Sequence, residues 1–145
     1  MPVITDPPSS APAVHPHRDL AGRVLVGIAA LGAAAAAADS LWSLSGVEDA
    51  IKIVSAWRAY GLAVFGVLFA LLAMAPRAYR GVWEVVIFHK LAMALTAVVY
   101  QEQGGVAEAG TVVIVDGILT VVLVAGYLLC RGWSRRPQSQ PSPAG

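Results

Sequence analysis

The chain has little of what a soluble enzyme needs. Only 13% of its 145 residues are charged and 57% are hydrophobic, with a mean hydropathy of +0.68, a balance that is not typical of soluble globular domains. Cys130 is the single cysteine, so a redox relay between two thiols of this chain is excluded. HExxH, GxSxG, Walker and CxxC motifs are also missing from the sequence, which removes the common signatures of several enzyme classes.

Metal and nucleic-acid sites are not indicated either. His89 is the only histidine inside a hydrophobic run, and one histidine can supply neither a recognisable metal-ligand spacing nor both axial ligands of a typical membrane cytochrome. The formal net charge is +1, and the basic residues cluster at the ends of the hydrophobic runs. We therefore expect no metal and no nucleic-acid partner.

Four apolar runs of about 20 residues fill the middle of the chain, at about 22–42, 57–75, 82–101 and 110–130. A helix of this length crosses a hydrocarbon layer of about 30 Å. We predict an all-α fold, a four-helix transmembrane bundle over residues 18–133 in contact with the lipid bilayer. Residues 1–17 and 134–145 are rich in Pro and Ser and are predicted to be disordered tails.

The first run has an alternative interpretation as a cleaved signal peptide. A basic start and several alanines before Asp39 fit that interpretation. However, the segment ahead of the run would be unusually long and proline-rich for a leader. We therefore expect the first run to remain a membrane span.

The distribution of Lys and Arg predicts the orientation of the chain. Basic residues precede the first span, fill the turn between the second and third, and follow the fourth: Arg18, Arg23, Arg77, Arg80, Arg131, Arg135 and Arg136. The other two connections are acidic or mixed. Because short basic segments stay in the cytoplasm, both termini are predicted to be cytoplasmic in a multi-pass protein of the cell membrane.

The first outer loop, residues 43–57, carries its own helical pattern. Ser45 and Glu48 match a capping box, and Val47, Ile51 and Val54 follow at helical spacing. This pattern predicts a short amphipathic helix along the outer surface.

Charged residues within the spans are the candidate functional residues, because each costs about 2.5–3.5 kcal/mol at a helix centre. Lys90 lies near the middle of the third span, and Asp116 on the fourth is its natural counter-charge. His89 shares a face with Met93 and Tyr100, whereas Lys90 shares a face with Trp83, Ala94 and Ala97. Together these two stripes of the third helix are predicted to face inward. It stays open whether Lys90 and Asp116 contact each other, and whether they belong to a functional site or merely neutralise each other's charge.

Asp39 lies near the outer end of the first span and Arg58 at the start of the second. We expect the two residues at the same depth in the membrane. One interpretation is an interfacial salt bridge between them. A second joins Asp39, Arg58, His89, Lys90 and Asp116 into one polar pocket reached from the outer side.

The number, length and orientation of the spans resemble those of small bacterial four-helix membrane proteins of the DoxX-like group. Besides the architecture of residues 22–130, the resemblance depends on Arg58 and Gly61 at the start of the second span. It implies a possible link to quinone-dependent oxidation in the membrane, but it assigns no residue a role.

Three hypotheses for the function stay open. The favoured one is a binding or accessory component that takes a small amphipathic ligand, or a membrane partner protein, in its polar interior. The second is a quinone-linked oxidoreductase subunit in which Lys90 and His89 donate protons and Asp116 orients them; quinone is the one cofactor considered. The third is a proton-coupled transporter acting as a homo-oligomer, with Asp116 or Asp39 as the titrating group.

Overall fold

The computed structural model describes residues 15–133, and four long helices account for most of them. They are α1 (Pro16–Ser43), α2 (Lys52–Met74), α3 (Arg80–Glu102) and α4 (Ala109–Leu129). Each is long and apolar enough to cross a membrane, judged by length and composition, and no strand occurs within 15–133. The prediction of an all-helical chain with four candidate membrane spans is therefore confirmed.

The helix limits differ from the predicted spans mainly at two starts. Helix α1 begins at Pro16 and α2 at Lys52, rather than at about 22 and 57. Residues 16 and 17, which we assigned to the first tail, are thus helical. The rest of that predicted tail, apart from His15, and the whole predicted tail at 134–145 lie outside the described residues.

Local sequence explains where the helices begin and end. Pro16 occupies the first turn of α1, where its missing N–H is not needed, and α2 stops just ahead of Pro76. Between α3 and α4 the chain turns through Gly104 and Gly105, whose φ angles are 117° and 81°, values that glycine adopts without steric cost. Helix α4 ends in a Schellman motif, in which Gly132 N–H donates to the Tyr127 carbonyl at 2.9 Å.

The first connection differs from its prediction. Instead of a separate amphipathic helix, residues 43–57 contain two short 3₁₀ turns, Leu44–Gly46 and Asp49–Ile51, followed by the first residues of α2. No side chain caps either 3₁₀ turn. The amphipathic surface helix is therefore not confirmed, because α2 begins already at Lys52 and includes Val54 of the predicted pattern.

Successive helices run antiparallel, so one end of the molecule holds one connection and the other end holds two. We call the end that holds the start of α1, the α2–α3 turn and the end of α4 the turn end, and the opposite end the loop end. Helix α1 packs closely on α2, α3 packs closely on α4, and α1 contacts α4. The contact between α2 and α3 is much less extensive, and we call this contact the α2–α3 seam.

The packed core lies in the half of the molecule nearer the turn end. It consists of Val26, Ala29, Ala30, Phe69, Leu72, Trp83, Val86 and Leu123. Outside this core, many large apolar side chains point away from the protein, among them Leu31, Phe88 and Val121, each at least 69% exposed. Soluble monomers rarely expose so much contiguous apolar surface, whereas a lipid environment accommodates it.

Candidate functional site

A buried ion pair joins α3 to α4. Lys90 Nζ donates a hydrogen bond to Asp116 Oδ1 over 2.8 Å, and the two residues are only 6% and 8% exposed. Each is the one buried charged residue of its helix. Since an isolated charge at this depth is costly, the pairing explains how both helices tolerate an ionisable residue.

The geometry shows how the lysine reaches its partner. Lys90 is about 15 Å from the start of α3 and Asp116 about 10 Å from the start of α4, at 1.5 Å per residue. Side chains lean toward the start of their helix, so Lys90 would lean to the turn end and Asp116 to the loop end. The direct 2.8 Å contact therefore requires the lysine side chain to extend toward the loop end, and no bridging water is needed.

An aromatic ring from α2 borders the pair. Lys90 Nζ lies 4.4 Å from the centre of the Phe65 ring, a cation–π contact. His89 also contacts Phe65. The centres of the two rings are 4.5 Å apart, and the angle between the ring planes is 47°. Phe65 thus brings the pair and His89 into one cluster at the α2–α3 seam, which we call the seam cluster: Phe65, His89, Lys90 and Asp116.

The pair has more hydrogen-bonding capacity than it uses. An ammonium has three donors and a carboxylate has about four acceptor positions, yet within residues 15–133 the two side chains share only one hydrogen bond. Thr120, one turn beyond Asp116, donates to the Asp116 backbone carbonyl at 2.7 Å and not to its carboxylate. The remaining donors of Lys90 and acceptor positions of Asp116 have no hydrogen-bond partner within residues 15–133.

Two of the five predicted pocket residues do not join the cluster. Asp39 is exposed, and the described residues provide no partner for its carboxylate. Arg58 is exposed and forms an ion pair with Glu108 in the α3–α4 loop over 2.5 Å. The predicted Asp39–Arg58 salt bridge is therefore not formed, because each side chain points outward from its own helix.

The two stripes predicted to face inward on α3 behave differently. The stripe of Lys90 is buried together with Trp83, Ala94 and Ala97, as expected. The stripe of His89 is not, since His89, Met93 and Tyr100 are all exposed. His89 reaches the cluster from the side, through Phe65, rather than from the interior.

A second polar group, at the turn end, was not anticipated. Arg77 donates to Asp19 Oδ1 at 2.6 Å and to the Cys130 carbonyl at 2.7 Å, and Arg23 donates to Asp19 Oδ2 at 2.8 Å and to the Met74 carbonyl at 3.0 Å. These bonds connect the start of α1 with the ends of α2 and α4. In the sequence, the four-residue spacing of Asp19 and Arg23 indicated one ion pair of this polar group.

Trp83 is buried, as its place on the Lys90 stripe predicts, although it lies near the end of a predicted span. The sequence rule for membrane interfaces puts tryptophan rings at the water boundary, but Trp83 is fully buried and its Nε1–H donates to the Pro76 carbonyl at 2.8 Å. Its ring lies where a side chain on Gly126 would otherwise be. Trp83 therefore belongs to the core and is not an interface anchor.

Comparisons of the chain with protein-family models, with curated proteins and with solved structures give no match. Among residues 15–133, no group of three or more His, Cys, Asp or Glu side chains converges in a way that could hold a metal ion.

Proposed function

We propose that this chain is a multi-pass protein of the cell membrane, a four-helix bundle with both termini in the cytoplasm, that binds a small amphipathic ligand at the seam cluster. Four candidate spans and the apolar outer surface support the embedding. Arg18, Arg23, Arg77, Arg80 and Arg131 all lie at the turn end, which supports a cytoplasmic turn end. Alkaline phosphatase fused after Gly145 should be inactive, and activity there would contradict this orientation.

We infer ligand binding from the unused hydrogen-bonding capacity of the Lys90–Asp116 pair, which lies beside an aromatic ring. Within a bilayer no bulk water is at hand to complete these bonds, and unmade hydrogen bonds are costly. A carbonyl or hydroxyl group of a ligand would accept from Lys90 or donate to Asp116, while its apolar part would lie against Phe65. The limited α2–α3 contact is the entry route for such a molecule from the lipid.

Paired substitutions separate a binding role from mere charge neutralisation. Lys90→Met and Asp116→Leu should each destabilise the protein by about 3–5 kcal/mol, because each leaves one buried charge alone. The double variant should regain most of this stability. Lys52→Met is the matched control, since Lys52 is exposed and pairs with Asp49 on the surface.

Native mass spectrometry of protein extracted from its own membranes then tests ligand binding. The unmodified chain and Lys52→Met should both retain a small molecule that the refolded double variant lacks. If the double variant folds and still retains the same molecule, the Lys90–Asp116 pair is purely structural and the proposed function is wrong.

A quinone-linked role is the second candidate, favoured by the position of Phe65 between Lys90 and His89. A quinone ring could stack on Phe65, and on reduction by two electrons it would take up two protons, one from each basic side chain, to form the quinol. The DoxX-like resemblance points to the same chemistry. The chain would supply only the quinone site, and a membrane partner protein would supply electrons. Decylubiquinone should bind the purified protein in lipid nanodiscs and bind more weakly to His89→Leu, whereas equal affinity would contradict this role.

A proton-coupled transporter acting as a homo-oligomer is the third candidate. It is favoured by the outward face of α1, where Asp39 lies on the same exposed stripe as the small residues Gly32 and Ala35. Small residues allow close helix packing between copies. Substrate-driven acidification of vesicles that is abolished by Asp39→Asn would support this candidate, and a monomeric mass in detergent would contradict it.

A further inference from the structure

A cavity at the turn end lies apart from the seam cluster. It has a volume of about 340 Å³ and is lined by the start of α1 and the end of α4, through His15, Arg18, Leu128, Leu129, Arg131 and Trp133. Three of these side chains are histidine or arginine, and three are apolar. The cavity therefore combines a positively charged part with an apolar wall.

The positive charge of this cavity is not neutralised by the acid nearest to it in sequence. Asp19 follows Arg18 directly, but its two carboxylate oxygens are taken by Arg77 and Arg23. Arg18 is exposed, and residues 15–133 provide no hydrogen bond or ion pair for its guanidinium. Arg18 therefore has a full set of donors for an anion.

The apolar wall faces the surroundings of the helices and not the core. Leu128 is 55% exposed and Trp133 is 43% exposed, and both lie where α4 leaves its apolar segment. A tryptophan at this level is typical of the boundary between hydrocarbon and headgroups. The surface thus offers a place for an acyl chain directly beside the basic side chains.

We propose that this cavity binds the phosphate group of an anionic membrane lipid, with Arg18 and Arg131 holding the phosphate oxygens and Leu128, Leu129 and Trp133 contacting the glycerol and acyl portion. Guanidinium groups bind phosphate through paired, charge-assisted hydrogen bonds. Basic pockets between membrane helices on the cytoplasmic side have the chemistry for anionic headgroups. The inference uses the membrane embedding proposed above but not ligand binding at the seam cluster.

The test measures binding to full-length protein in a neutral detergent by native mass spectrometry. The probes are dioleoyl phosphatidylglycerol, dioleoyl phosphatidylcholine and inorganic phosphate. Phosphatidylglycerol should bind at least about five-fold more tightly than phosphatidylcholine, and Arg18→Gln should weaken it by about five-fold, the equivalent of roughly 1 kcal/mol per basic residue. Arg131→Gln should have a similar effect, and Arg18→Lys a smaller one.

Arg80→Gln is the matched control, because Arg80 lies at the same end and carries the same charge but does not line the cavity. It should bind phosphatidylglycerol as the unmodified protein does. Equal binding of the two lipids, or equal weakening by Arg80→Gln and Arg18→Gln, would overturn the proposal, as would inorganic phosphate binding as tightly as the lipid. The Lys90→Met/Asp116→Leu variant keeps this cavity, so failure at one site is distinguishable from failure at the other.

Discussion

The two ends of the molecule are held together in different ways. At the turn end, Asp19 is bound by arginines that also bind the backbones of other segments, and the Trp83 ring is enclosed. At the loop end, the ion pairs are Arg58–Glu108 and Lys52–Asp49, and all four side chains are between 47% and 94% exposed. Exposed pairs contribute about 0–1 kcal/mol, so the turn end should fix the helices while the loop end leaves them freer.

This difference places the seam cluster between a fixed region and a freer one. The core residues lie on its turn-end side, and the long, glycine-containing α3–α4 loop lies on its other side. Under the proposed function, a ligand that enters at the α2–α3 seam would displace the loop-end half of α2 or α3 and leave the core intact. The following substitutions, ordered from the largest expected effect to the smallest, test the contrast.

Trp83→Ala should have the largest effect on stability, about 3–5 kcal/mol. It removes the biggest buried ring and leaves the Pro76 carbonyl without its donor. Trp57→Ala is the loop-end control, because Trp57 is 81% exposed, and it should change stability by less than about 1 kcal/mol. Unfolding by sodium dodecyl sulfate in mixed micelles measures both, and equal losses would show that the two ends do not differ.

Arg77→Gln should cost about 2–3 kcal/mol, because it breaks the half-buried ion pair with Asp19 and the bond to the Cys130 carbonyl. Arg58→Gln makes the same change at the loop end and should cost less than about 1 kcal/mol. The same micelle titration provides the comparison. A loss at Arg58 as large as that at Arg77 would mean that the loop-end pair is a main tie between helices.

Gly126→Ala should cost about 1–2 kcal/mol through overpacking. A Cβ at Gly126 would lie 2.6 Å from Val26 Cγ2 and 3.3 Å from the Trp83 ring, and a branched valine has little freedom to move away. Gly117→Ala is the control in the same helix nearer the loop end, where a Cβ meets nothing within 4 Å. Thermal unfolding in detergent should show a lower midpoint for Gly126→Ala only. A midpoint for Gly126→Ala equal to that of the unmodified protein would refute close α1–α4 packing.

Glu108→Gly should have the smallest effect, under about 0.5 kcal/mol. Glu108 has a φ of 66°, which glycine adopts more easily, and this gain offsets the loss of the exposed pair with Arg58. Glu102→Gly, in the last residue of α3, should destabilise instead. The same thermal measurement distinguishes them, and a loss above about 1 kcal/mol for Glu108→Gly would show that the loop end is more firmly held than its exposure indicates.

Much of the fold could be predicted because hydropathy directly reports membrane-length helices. The four candidate spans follow from run length, and the inward stripe of Lys90 follows from its small neighbours Ala94 and Ala97. Pairing of Lys90 with Asp116 was a reasonable expectation, since no other buried opposite charge was available near the middle of the spans. These inferences needed only the period of a helix and the cost of burying charge.

The remainder required the rotation of each helix, which the sequence leaves undetermined. Helix α1 is alanine-rich on all sides, so nothing in its pattern showed that Asp39 would face outward while Val26 and Ala30 pack inward. The partner of Arg58 is Glu108, fifty positions away in a loop, and its location depends on how α3 and α4 pair. Trp83 is buried because Gly126 leaves room for its ring, a complementarity between helices that no single helix reveals.

The extensive α1–α2 and α3–α4 contacts divide the chain into two helical hairpins that meet mainly through α1 and α4. Lys90 and Asp116 both belong to the later hairpin, so their charges can cancel as soon as that hairpin forms during synthesis. The earlier hairpin has no charged residue among its buried positions, so its interior requires no counter-charge. If the chain spans a membrane as proposed, the two halves would meet with Phe65 against a charge pair that is already neutral, and the cost of burying charge would fall within one half of the protein.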